Sequence, residues 1–218
     1  RPPRSTLFPY TTLFRSSLYG IDKDYKGNVI EEFRNSWLFA PIVWDILAEK
    51  YIPPRKLISH GFKRNIIHDT SLWNEVNNEI NNCDNAADRI CWEFSGQQVF
   101  FTKDKSCVAN AIRDFIKQNN NYCRDTEDNV SVLEREHIIE RFEKIASAIE
   151  LLPEDTPYFV MKNTSVDDSV ERWFEKYDDE QQEYVESSLS QVHELVTEFV
   201  VIEDGRIVNF INNLEFEY

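Results

Sequence analysis

Apolar residues along the chain recur with two different periods, and the alternation between them sketches the fold. Trp37, Leu38, Phe39, Ile42, Val43, Trp44, Ile46 and Leu47 lie nearly all round a helix running to Glu49–Lys50. A helix that is apolar on every side is a buried one. Asn35-Ser36 can cap it, Pro41 is tolerable in its early part, and Tyr51-Ile52-Pro53-Pro54 ends it. Leu72, Val76 and Ile80 form one stripe of a second helix capped at Ser71, and Val108, Ile112, Phe115 and Ile116 predict a helix over Lys105–Lys117. Between them, Arg89–Phe94 and Gln98–Thr102 read either as a hairpin or as a helix to Phe94 followed by one strand.

The second half repeats the alternation. Ser131-Val-Leu-Glu134 is a capping box, opening a helix through Ile138, Phe142, Ile145 and Ile149 that stops before Pro153. Tyr158–Lys162 reads as a strand. Val166, Val170, Trp173, Phe174, Tyr177, Tyr184, Val185, Leu189, Val192 and Val196 then predict one helix, or two broken at Asp178-Asp179. Phe199–Ile202 and Arg206–Ile211 flank Asp204-Gly205, the strongest hairpin signal in the chain. The expected class is helix-rich α+β, with amphipathic helices, a few short antiparallel strands and a C-terminal hairpin at 199–211.

Residues 1–16, RPPRSTLFPYTTLFRS, stand apart: they contain a near-repeat and no acid. The stretch resembles the conceptual translation of sequencing-adapter DNA found in reading frames assembled from environmental samples. It is expected to be a non-native leader, with the natural start near Ser17-Leu18. The polar, Asn-rich loop Gln118–Asn129 divides the rest into portions 17–125 and 126–218, forming two domains or one continuous one.

Charge sharpens that division. The 218-residue chain carries 39 acids against 24 bases, a formal net of −15. Residues 19–125 hold 15 acids and 14 bases, whereas residues 126–218 hold 24 acids and 7 bases. The five glycines, at 20, 27, 61, 96 and 205, are too scattered for a dinucleotide loop, a P-loop or a nucleophile elbow, all of which need clustered glycines. No apolar run approaches the ~20 residues of a membrane span. Cys83, Cys91, Cys107 and Cys123 contain no close pair of the kind that chelates zinc, and reduced thiols in a cytoplasmic protein are expected. No cofactor is expected.

Several constellations could carry chemistry. His60 and the dipeptide His68-Asp69 are similar to the ligand pattern of the HD superfamily of metal-dependent phosphohydrolases, in which His and Asp hold a metal whose water attacks the substrate. The resemblance implies a small hydrolase with Asp104 or Asp114 as a further ligand. Against it, His60 lies only eight positions before His68, and an Asp at 69 can simply cap the next helix. Glu134-x-x-His137 has di-iron spacing but no second copy, and His193-Glu194 lacks the second His of a zinc peptidase helix. Cys107, near a helix N-terminus, is a thiol that such a position can activate; the alternative is a buried structural Cys.

Two charged features bear on partners. Arg55, Lys56, Lys63 and Arg64, with His60 and Phe62 among them, form the one basic cluster; its expected counter-charge is the acidic C-terminal portion of the same chain. Within that portion, Glu171, Glu175, Asp179 and Glu183 recur every fourth residue, with Glu186 beyond, and on a helix they would form a ladder of carboxylates about 6 Å apart. Small acidic proteins of viruses and mobile elements imitate nucleic acid in this way. A net of −9 over residues 167–199 is one charge per ~5–6 Å of helix, dilute beside ~1.7 Å for duplex DNA. The plainer reading of the ladder is a solvated amphipathic helix with a repelling outer face; the expected function is an interaction module that binds a basic protein surface, in its sharp form an inhibitor of a nucleic-acid-binding site. Direct binding to nucleic acid is disfavoured, because the net charge repels phosphates.

Overall fold

The computed structural model describes residues 15–34, 39–122, 135–153, 155–164, 175–186 and 198–212. It is α+β, with five α-helices on one face of a six-stranded mixed sheet, among the described residues. The chain opens with β1 (Arg15–Ile21) and β2 (Gly27–Arg34), an antiparallel pair, followed by α1 (Ala40–Tyr51). A small hairpin of β3 (Ile58–Ser59) and β4 (Phe62–Lys63) precedes α2 (Thr70–Asn81) and α3 (Ala86–Ser95). Then come β5 (Val99–Phe101), α4 (Lys105–Gln118), α5 (Arg135–Glu150) and β6 (Tyr158–Thr164). A detached two-stranded sheet, β7 (Glu175–Asp178) and β8 (Glu183–Glu186), and the hairpin β9 (Glu198–Glu203) and β10 (Arg206–Asn212) complete the described chain.

The strand order is β10-β9-β5-β6-β1-β2. Strand β5 runs parallel to β9 on one side and antiparallel to β6 on the other. A strand that precedes the expected boundary at 118–129 therefore lies between two that follow it. Two residues of the expected leader, Arg15 and Ser16, belong to β1, where the Ser16 hydroxyl donates to Asn163 Oδ1 at 2.6 Å.

Period decides which face each residue takes. Phe100, Phe159, Met161 and Val200 join the main core beneath the helices, while Ile21, Val99, Val160 and Phe199 form a second cluster on the opposite face. Seven of the twelve residues of α1 are buried, as its all-round apolar pattern predicts. Trp73 links Trp44 of α1 and Trp92 of α3, with ring centroids 5.0 and 4.4 Å apart. Both flanking indoles find acceptors, Ser95 Oγ for Trp44 and Asn77 Oδ1 for Trp92. That satisfies the polar end of each ring while its body fills the core.

Three expectations are corrected and one open alternative is decided. α1 begins at Ala40 rather than at Asn35-Ser36, which lie outside the described residues; Pro41 then falls in the first turn, where its missing N–H costs nothing. α2 is capped by Asp69 rather than Ser71, its carboxylate accepting the Leu72 N–H at 2.8 Å. Arg89–Phe94 is helical, so of the two readings left open the helix followed by one strand holds. Most consequentially, Glu175–Glu186 is a β-hairpin and not part of a helix. Asp178 Oδ1 accepts the N–H groups of Glu180 and Gln181, and Gln182 has φ 56°, so a side-chain-stabilised turn reverses the chain. The capping box at 131–134 and the remainder of the expected C-terminal helix lie outside the described residues.

The C-terminal hairpin forms as expected, with Asp204 at φ 49° and Gly205 at φ 76°. Two consecutive positive φ values are what a two-residue hairpin loop needs to match strand twist. A Cβ on Gly205 would meet no atom within 4 Å, so only backbone strain opposes one. Gly205→Ala is expected to lower stability by roughly 1–2 kcal/mol, measured by urea denaturation. An unchanged midpoint would show that the turn does not impose the left-handed conformation.

Candidate functional site

Two hairpins outside the main sheet carry the residues singled out from the sequence. The first, β3–β4, turns at His60-Gly61, both at positive φ. His60 is exposed and its Nδ1 lies 3.0 Å from Ser59 Oγ. His68 is exposed too, in the turn leading into α2. Asp69 is committed elsewhere: besides capping α2, it receives Arg64 Nε on Oδ2 at 2.7 Å and Arg64 Nη2 on Oδ1 at 3.1 Å. This bidentate pair holds the Asp69 carboxyl below its usual range, Arg64 being the largest cause and partial burial opposing it.

Among the described residues, no three His, Cys, Asp or Glu side chains converge as a metal site would require. Asp114 is exposed on α4, and Asp104 precedes that helix with its carboxyl held above the usual range by burial. His137 is exposed on α5; Glu134, His193 and Glu194 lie outside the described residues. Cys107 falls in the first turn of α4, where burial, then Asp104, pushes its thiol up rather than activating it. Cys83, Cys91 and Cys107 are unpaired. No helix among the described residues is long and apolar enough to cross a membrane.

The basic cluster finds its partners nearby. Arg64 Nη1 bonds Glu75 at 3.1 Å, Lys56 lies 3.6 Å from the same carboxylate, and Lys63 pairs with Glu49. For Lys56, Lys63 and Arg64 the expectation of pairing with the acidic C-terminal portion is thus corrected: α1, α2 and the α2 cap supply the acids among the described residues. Four bases against Glu49, Asp69 and Glu75 leave a patch of little net charge. What remains prominent at this corner is apolar, with Phe62 78 % and Ile58 58 % exposed.

The acidic hairpin has the opposite character. Residues 175–186 hold six acids and one base, Lys176. Its register sets Glu175 against Glu186 and Asp178 against Glu183, with Tyr177 against Tyr184 between them. Asp179, Glu180 and Glu183 are exposed. Like charges on directly paired positions destabilise a sheet, and a two-stranded hairpin is marginal by itself. Of the residues assigned to the carboxylate ladder, Glu171 lies outside the described residues, as does Trp173, an apolar position of the expected helix.

Two polar arrangements were not legible in the sequence. Asp88, with 0 % exposure, accepts Lys50 Nζ and the Tyr51 hydroxyl on Oδ2, each at 2.6 Å, fastening the end of α1 to the start of α3. Burial first, then the hydrogen bond to Asp88, holds the Tyr51 phenol well above its ordinary value, so it stays protonated as a donor. Arg113 of α4 clasps Glu143 and Glu150 of α5 with two edges of its guanidinium, at 2.7–3.0 Å. Only the Glu143–Glu150 spacing of two helical turns hints at this clasp.

No protein-family model matches the chain, and no curated protein or solved structure matches it either.

The Asp69 arrangement predicts a specific pH dependence. At pH 7, Asp69→Ala is expected to cost about 1–2 kcal/mol, through loss of the cap and exposure of the Arg64 charge. Because the folded-state carboxyl is held low, that contribution is full above its ordinary value of ~3.9 and is lost as pH falls through the lowered value. Urea titrations of both proteins at pH 7, 5 and 2.5 should show the gap persisting at pH 5 and narrowing at 2.5. An equal gap at all three would refute the ionic origin.

Proposed function

We propose that the protein is an acidic interaction module whose C-terminal portion occupies a basic, nucleic-acid-binding surface of a partner protein. The observation that carries this reading is the register of β7–β8. A detached hairpin that sets acid against acid twice sacrifices local stability, and a cationic surface laid across it would offset that loss.

Charge density supports the same conclusion more strongly than a helix would have done. A net of −5 spread along four-residue strands, about 14 Å of hairpin, is roughly one charge per 3 Å. That approaches the ~3.4 Å spacing of a single nucleic-acid strand, although it remains below the ~1.7 Å of a duplex. Folding as a hairpin sets Glu175 beside Glu186 and Asp178 beside Glu183 instead of spreading them along an axis. Three cations of the basic cluster, Lys56, Lys63 and Arg64, pair with Glu49, Asp69 and Glu75 instead of with the hairpin.

The test is binding of the full chain to poly-L-lysine across salt concentrations, followed by competition with single-stranded DNA. Affinity should fall at least tenfold between 50 and 200 mM salt, because counterions are exchanged on contact. The triple variant Asp179→Asn, Glu180→Gln, Glu183→Gln should bind at least tenfold more weakly and with a shallower salt dependence. Binding that ignores both salt and these substitutions would overturn the proposal.

A further inference from the structure

We draw no further inference here: the strongest candidate, the exposed patch of Phe62 and Ile58 on the β3–β4 hairpin beside the groove at Lys56, Arg64, Asp69 and Glu75, carries none because those charges are already paired with one another and nothing in the structure shows what covers its apolar side chains.

Discussion

Everything in this fold is tied together by a strand three residues long. Val99–Phe101 must satisfy hydrogen bonds toward β9 on one side and β6 on the other, and without it the six-stranded sheet separates into β10-β9 and β6-β1-β2. So short a strand supplies few ladder bonds, and side chains compensate. Phe100 is fully buried and packs with Phe94 of the preceding helix and Phe159 of β6 at centroid distances of 5.8 Å. Burying an aromatic ring of this size is worth about 1.5–3 kcal/mol. Both ends are pinned by backbone bonds, Gln98 N–H to Glu93 O and Thr102 N–H to Pro157 O. Because β9 and β6 both follow the acidic boundary while β5 precedes it, the near-neutral and acidic portions share one core.

That shared core explains how a strongly acidic portion is tolerated. Among its described residues, the buried apolar side chains belong to the sheet and to α5, where Phe142 stacks with Phe115 of α4 and leans on Phe39. Exposed acids among them stand on the α5 surface and the β7–β8 hairpin. Across the α4–α5 interface Arg113 compensates Glu143 and Glu150, much as Lys50 and Tyr51 compensate one oxygen of Asp88 in the near-neutral portion. The contrast with β7–β8, where acids face acids, is the physical basis for reading that hairpin as an element shaped by a partner.

Much of this architecture is legible in the chain. The stripes Leu72/Val76/Ile80, Val108/Ile112/Phe115 and Ile138/Phe142/Ile145/Ile149 are all buried helix faces, and Asp204-Gly205 marks its hairpin outright. The sequence misleads where one signal serves two periods. In 175–186 the apolar positions Tyr177, Tyr184 and Val185 are compatible with a helix, and only the polar run Asp178–Glu183 hints at a turn. The electrostatic pairings are less legible still. Arg64 lies five positions from Asp69 and eleven from Glu75, while Lys50 meets Asp88 across 38 positions. Nothing local distinguishes those acids from more than thirty others, so the basic cluster could not be assigned to its neighbours without the packing of α1 against α2.

The central claim is that β7–β8 carries an electrostatic strain that cationic charge relieves. Amide hydrogen exchange of the hairpin, followed from 20 mM to 500 mM salt, reads that strain most directly, since screening acts on exposed charges. The account predicts that protection of the 176–185 amides rises with salt by a factor of about 2–5, equivalent to roughly 0.5–1 kcal/mol, while the amides of β5 and β6 stay unchanged. Hairpin protection that is flat or falls with salt would contradict it.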